Sequence, residues 1–389
     1  GGDYFFGNTI NNVLFREGEM QPAHRQAIEQ IFVDEGAKAS YGDVTDFTRF
    51  WRGKNITEFP LIDTSSGTNF TAAWRLNNLT TFPLIDTSNG TTFRDAWLGN
   101  NLTSFPLLDA SNVTNFQGAW YNNNLSSFPL LDTSSGTNFS YAWHNNNLTS
   151  FPLIDTSSGT NFGYAWRDNN LTSFPLIDTS SGTNFYFTWY NNNLTSFPQL
   201  DMSSATNVEQ AWRGNDLTDF PAIDIPNCTK FGAAWQHNSL TSFPLIDVSS
   251  GTSFASAWRG NSLTSFPLID TSSGTNFYGA WYGNNLTSFP LLDVSNGTNF
   301  SYAWYSNNNL TTFPANMFDS CLATDFNSAF THTNLSQQSI DNILVSIESN
   351  GTSNGTFNQS GGSAPSSVGE SAITALRARG WTVTVTGGF

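Results

Sequence analysis

A tryptophan returns every 23 residues through most of this chain: Trp51, Trp74, Trp97, Trp120, Trp143, Trp166, Trp189, Trp212, Trp235, Trp258, Trp281 and Trp304. These are twelve of its thirteen tryptophans. A period in this range belongs to architectures in which one supersecondary unit stacks on the next, so that neighbours bury what a single unit leaves exposed. Such stacks grow by adding coils. The repetition therefore outweighs the length of 389 residues, which would otherwise suggest two or three globular domains, and predicts one elongated unit. The expected fold class is a β-rich solenoid of about 12–13 coils with one short parallel strand per coil.

The anatomy of a coil follows from its recurring apolar points. In the coil that begins at Leu79, these are Leu79, Phe82, one of Leu84 and Ile85, Phe93, Ala96 and Trp97. Leu79 to Phe82 reads as the short strand, ended by Pro83 because proline cannot donate to a ladder. Twelve Phe-Pro pairs, from Phe59-Pro60 to Phe313-Pro314, mark this corner. Asp86 to Gly90 is a turn in which Asp accepts from backbone N–H groups two residues on. Phe93 to Trp97 is long enough for a single helical turn. An Asn stands two residues before the leucine in eleven coils (Asn77, Asn100, Asn123, Asn146, Asn169, Asn192, Asn215, Asn238, Asn261, Asn284 and Asn308), as a buried amide ladder requires.

The ends differ from the array. Residues 1–43 read as an N-terminal capping segment with a helix at about 22–36, in which Pro22 sits near the first turn and Ala27, Ile28, Ile31 and Phe32 share helical spacing. The array spans 44–335. Residues 336–389 read as a small αβ cap, with a helix around Ser339–Ile347, a second around Glu370–Arg379 and a terminal strand from Trp381 to Val385.

Composition restricts the partners. The net charge is -16, and the 14 Lys and Arg residues are scattered, so nucleic-acid binding is not expected. No apolar run reaches the length of about 18 residues that a membrane span needs. The chain opens at Gly1 without a methionine, which fits either removal of a leader or a fragment. Cys228 and Cys321 lie four coils apart, too far for a disulfide, and are expected to be free thiols.

The frame Leu148-Thr149-Ser150-Phe151-Pro152-Leu153-Ile154-Asp155, continued through Ala165-Trp166, resembles the 23-residue BspA-like leucine-rich repeat. The resemblance covers about 44–335. It differs in using Phe-Pro for the Ile-x-Ile of the strand and Trp for the Phe after Ala. The ending, from Leu335 through Gly380-Trp381-Thr382-Val383, is similar to C-terminal modules of repeat proteins from marine bacteria and their phages. These resemblances imply a leucine-rich-repeat-like, right-handed coil stack on an extracellular, cell-surface or virion surface. They imply attachment or structure and carry over no catalytic residue.

Several columns are candidate sites. The Asp column (Asp63, Asp86, Asp109, Asp132, Asp155, Asp178, Asp201, Asp224, Asp247, Asp270 and Asp293) offers oxygen ligands to Ca²⁺, but turn capping accounts for each Asp within its own coil. No other cofactor or metal site is expected. Asn78, Asn101, Asn147, Asn170, Asn193, Asn285 and Asn309 stand in Asn-Leu-Thr and are candidate glycosylation acceptors. The four histidines are dispersed, and no nucleophile–base set or phosphate loop appears, so enzymatic activity is not expected. Beside each tryptophan, however, the residues vary and favour the types enriched at binding surfaces. The face candidates are Tyr121, Tyr141, His144, Tyr164, Arg167, Tyr186, Tyr190, Arg213, Arg259, Tyr278, Tyr282, Tyr302 and Tyr305. The leading expectation is a non-enzymatic structural protein that self-associates into a homo-oligomer, filament, fibre or appendage. The alternative is a monomeric adhesin or phage tail receptor-binding protein that recognises a glycan or host surface protein.

Overall fold

The computed structural model of the chain describes Tyr41 and residues 44–389. The expected N-terminal helix at 22–36 lies outside the described residues. The chain divides into two compact units, one ending at Gly159 and one running from Thr160 to Phe389.

Within each unit, a residue meets its counterpart 23 positions on. Parallel bridges link Asp46, Asn69, Thr92, Asn115 and Asn138 in the first unit, and Asn161, Asn184, Asn207, Lys230, Ser253, Asn276 and Asn299 in the second. Around each bridge the backbone alternates between two kinds of bond. Phe70, Ala72, Trp74 and Leu76 donate to Thr92, Arg94, Ala96 and Leu98 of the next repeat at 2.7–3.1 Å, while Ala73 and Arg75 turn back onto Phe70 and Ala72. Every N–H from Phe70 to Leu76 except that of Thr71 is thereby met by a carbonyl, and Thr71 donates to the Asn69 side chain. The alternation places Ala72 and Leu76 at φ 54° and 57°.

This moves the strand from its expected place. Leu79 to Phe82 forms no strand, because its backbone makes only isolated bonds to the next repeat: Asn101 to Leu79 and Thr103 to Thr80. The extended pairing instead surrounds the Asn–Phe step at the start of the tryptophan segment. At the Phe-Pro corner, Ile85 N–H donates to Pro83 O at 3.0 Å, a tight turn centred on Leu84. Ile85 is thus the buried member of the pair and Leu84 the exposed one.

The interior is aromatic. In the first unit Trp51, Trp74, Trp97, Trp120 and Trp143 stack with ring centroids 5.2–5.8 Å apart and planes within 10°. The second unit repeats the column from Trp166 to Trp304 and ends on Phe330, 4.9 Å from Trp304 and 4° from parallel. Corner phenylalanines stack beside them and meet them edge-on: Trp74 lies 5.4 Å from Phe59 and 4.9 Å from Phe82. Each such pair adds about 0.5–1.5 kcal/mol beyond its buried area. The indole N–H groups of Trp189 and of the five tryptophans from Trp212 to Trp304 are buried and meet no oxygen or nitrogen, so these six side chains serve through ring area.

The amide ladder is present. Asn100 donates to Trp74 O and Trp97 O at 2.9 and 3.0 Å, and its carbonyl accepts from Leu79 N–H at 3.2 Å, so one side chain ties two repeats. In the last array repeat this place is taken by Asn307, which donates to Trp281 O and Trp304 O, and not by the expected Asn308, which is exposed. A residue has been added between the tryptophan and Leu310.

The array passes into an open, parallel three-stranded sheet with two helices. The elements are β1 (Asp325–Thr331), α1 (Gln337–Ser349), β2 (Thr356–Ser360), α2 (Ser367–Ala378) and β3 (Thr382–Thr384), with strand order β1-β2-β3. Asn299 bridges to Asp325, so β1 continues the parallel pairing of the repeats. Each helix then returns the chain for another parallel strand, as parallel pairing requires. Ser336 caps α1 and Ser366 caps α2. Asp341 of α1 accepts from both the N–H and the hydroxyl of Ser366, which fixes the start of α2 against α1. No helix among the described residues is long and apolar enough to cross a membrane.

Candidate functional site

The variable face is built by the alternating backbone. The residue two after the repeat phenylalanine, or after Val208 in its place, has positive φ in every described repeat. Glycine occupies this place at no steric cost at Gly118 and Gly279, but Tyr141, Tyr164, Phe187 and Tyr302 hold it at φ 55–62°. A bulky aromatic in the left-handed region is unusual and costs on the order of 1 kcal/mol. The rings offset that cost by packing on one another.

In the first unit, Tyr121 stacks on His144 at 4.6 Å, and Tyr141 lies against both. His144 is buried. In the second unit, Tyr164 stacks on Phe187 at 5.1 Å, and Tyr186 stands edge-on to both. The Arg167 guanidinium lies 5.4, 5.0 and 4.8 Å from the ring centres of Tyr164, Phe187 and Tyr190. Its Nε is held by Asp168 at 3.0 Å. Burial, then a hydrogen bond with Tyr164, pushes the Tyr186 hydroxyl above the ordinary tyrosine range.

Further along the second unit, Arg213 reaches Tyr190 at 5.6 Å and donates to Gln210 at 2.6 Å. Arg259 covers Tyr282 at 4.3 Å, Tyr282 stacks on Tyr305 at 4.8 Å, and Tyr278 meets Tyr302. Between these two groups stands Gln236, hydrogen-bonded to His237 at 3.1 Å. Burial, then Arg213 and Arg259, hold His237 below its ordinary pKa. All thirteen candidates thus find a ring or cation neighbour on the face. Phe187, Asp168 and Gln210 belong to these clusters and stood outside the candidate set. Their signal was position: Phe187 and Gln210 lie in the column of Tyr164, and Asp168 follows Arg167 directly.

The Asp column caps turns. Asp86 Oδ1 accepts from the N–H and hydroxyl of Ser88 at 3.0 and 2.7 Å, and the same pair recurs at Asp132, Asp201 and Asp270. These serine bonds hold the three carboxyls below the usual range. Asp224 is the exception that explains the rule. Pro226 stands where the serine would be and has no N–H, so Asp224 accepts from Asp247 N–H of the next repeat at 3.0 Å. No group of three or more His, Cys, Asp or Glu able to hold a metal ion occurs among the described residues. Both cysteines are free and buried.

The seven Asn-Leu-Thr asparagines, Asn78 to Asn309, are all exposed. So is a column that sequence reasoning left undecided. Leu84, Leu107, Leu130 and Leu153 are 61–63% exposed in the first unit, with Leu61 at 46%. Leu176, Leu245, Leu268 and Leu291 hold the same place in the second unit at 53–69%. No protein-family profile matches the chain, and a search of curated proteins finds no similar sequence.

Proposed function

We propose that this chain is a non-enzymatic, extracellular structural protein, a leucine-rich-repeat-like, right-handed solenoid that serves as a subunit of a fibre, appendage or surface assembly. The repeat pairing at 23 residues and the resemblance to BspA-like repeats support the solenoid. The observation that carries the functional reading is the mutual ordering of the Tyr/Arg clusters. Side chains such as Tyr190 and Arg167 are already immobilised by their neighbours, so a contact made through them loses little further rotamer entropy. Within the second unit the Arg167 and Arg259 groups occupy the same column of the repeat, which suits an extended partner such as another subunit.

The second reading is a monomeric adhesin or phage receptor-binding protein. It draws on the difference between clusters: a Tyr–His stack, an Arg on three rings and an Arg–Tyr–Tyr stack form a non-repeating pattern, as recognition of one glycan or host protein requires. In either reading the exposed asparagines accept glycans if the host glycosylates the sequence.

The test is the double variant Tyr190→Ala/Tyr282→Ala. Truncating two central rings of an interface is expected to weaken association by about 10–100-fold, as sedimentation velocity reads it. Weakened cell or glycan binding with no change in association favours the adhesin. If both remain as in the parent chain, the Tyr/Arg face has no part in function.

A further inference from the structure

The leucine column follows the Phe-Pro corner, whereas the Tyr/Arg positions flank the tryptophan, and the fold does not require it. Gln199 and Ala222 stand in the same place in two repeats, and their turns keep the same bond: Leu200 N–H to Pro198 O at 3.0 Å and Ile223 N–H to Pro221 O at 2.9 Å. The interior is filled by the next residue, as Ile85 is buried and Leu84 is 63% exposed. A position that accepts Gln yet holds Leu in nine repeats, always outward, presents apolar surface for a reason other than folding.

We infer that this row is the seat of a second copy of the chain, docked row on row. Area is the first argument. Each exposed leucine offers roughly 100 Å² of apolar surface, and the five of the first unit together offer about 500 Å². Matched by an equal row from a second copy, they bury about 1,000 Å² before the flanking prolines are counted, which reaches the size of a specific interface. The row repeats one residue type at one spacing, so an equal row from a second copy matches it, as a twofold contact needs.

Charge then selects the orientation. The chain crosses the row, so the exposed Thr81, Ser104, Ser127 and Ser150 lie on one side of it and the exposed Asp86, Asp109, Asp132 and Asp155 on the other. A twofold axis across the row brings Asp against Asp. An axis along the row brings each Asp against the partner's hydroxyl side and removes the repulsion. The copies therefore pair in the parallel sense, with equivalent repeats facing each other.

This contact goes beyond the assembly reading above, which uses the Tyr/Arg face, and is tested separately. Leu107→Gln/Leu130→Gln/Leu153→Gln uses the residue that the array itself accepts at position 199, so the fold is kept, and unchanged circular dichroism and melting verify it. Sedimentation velocity is expected to show a dimer for the parent chain and about a 100-fold weaker dimer for this variant. The Tyr190→Ala/Tyr282→Ala chain is expected to keep the dimer. Single variants Leu84→Cys and Leu153→Cys fix the orientation: both form disulfide-linked dimers on oxidation if the rows are parallel, since the two native thiols are buried. A parent chain that stays monomeric overturns the inference, as does a Gln variant that dimerises like the parent. Cross-linking at no more than one of the two sites overturns the parallel sense. Filaments that form through the Tyr/Arg face while the Gln variant behaves like the parent would leave the assembly reading standing and remove this contact alone. Binding of a basic amphipathic peptide to the row of a monomeric parent would show a different occupant and overturn it too.

Discussion

Cys228 shows how a single side chain reports on the packing around it. Burial pushes its thiol up to about 11, and the same holds for Cys321; Cys228 Sγ lies 3.4 Å from Lys230 O. A buried thiol this far from its thiolate form is a poor nucleophile. A thiol reagent at pH 8 is therefore expected to label neither cysteine in the folded chain and both after unfolding; fast labelling of the native protein would contradict the packing. The capping aspartates report through pH. Asp132, Asp201 and Asp270 have folded pKa values below their unfolded ones, because the serine donors favour the carboxylate. Their stabilising contribution is present above the unfolded value of about 3.9 and is lost as pH falls through the depressed folded values. Ser134→Ala/Ser203→Ala/Ser272→Ala is expected to lower the urea midpoint at pH 7 while flattening its fall below about pH 4, and an unaltered pH profile would count against these caps.

At the scale of the repeat, the buried asparagine is the element that joins one turn to the next. Asn215 donates to Trp189 O and Trp212 O at 2.9 and 3.1 Å and accepts from Leu194 N–H at 3.1 Å. Asn215→Ala leaves Leu194 N–H unmet, while Trp189 O and Trp212 O each keep one donor from Asn192 and Asn238, and a loss of about 1–3 kcal/mol in urea unfolding is expected. A loss below about 1 kcal/mol would mean that water replaces the side chain. The left-handed positions make a second prediction. Gly283 has φ 65° and nearly open space around it, with only Gly260 Cα at 4.0 Å. Substitution there tests conformation and little else. Gly283→Asn is expected to be close to neutral, since Asn122, Asn145 and Asn191 hold that column, whereas Gly283→Val is expected to cost about 1–2 kcal/mol.

Much of this repeat was legible because residues that recur at one spacing must share one environment. The tryptophan column, the amide ladder and the Asp turns were readable in that way, and so were the two helices and last strand of the C-terminal module. What stayed hidden was decided by backbone geometry that propensity does not encode. Leu84 and Ile85 are equally apolar, and only the turn at Pro83 settles which one faces out. The strand was sought at Leu79–Phe82 from its composition, but the alternating bonds of Phe70–Leu76 satisfy more backbone groups. The positive φ of Tyr164 and Phe187 is signalled only by Gly118 and Gly279 in the same column, since neither aromatic prefers that conformation, and so the way their rings meet could not be foreseen.

On the scale of the whole molecule, the interior is closed by its own repeats, and chemistry is left to the surface. A face of ordered Tyr and Arg clusters and a row of exposed leucines are the two surfaces through which the proposed assembly would form. The most direct measurement is electron microscopy of the purified native chain over a range of concentrations, paired with a cell-binding assay. The account predicts regular filaments or ordered higher assemblies that shorten or disperse in the Tyr190→Ala/Tyr282→Ala variant. Dispersed single particles at all concentrations that bind cells or glycans would contradict it.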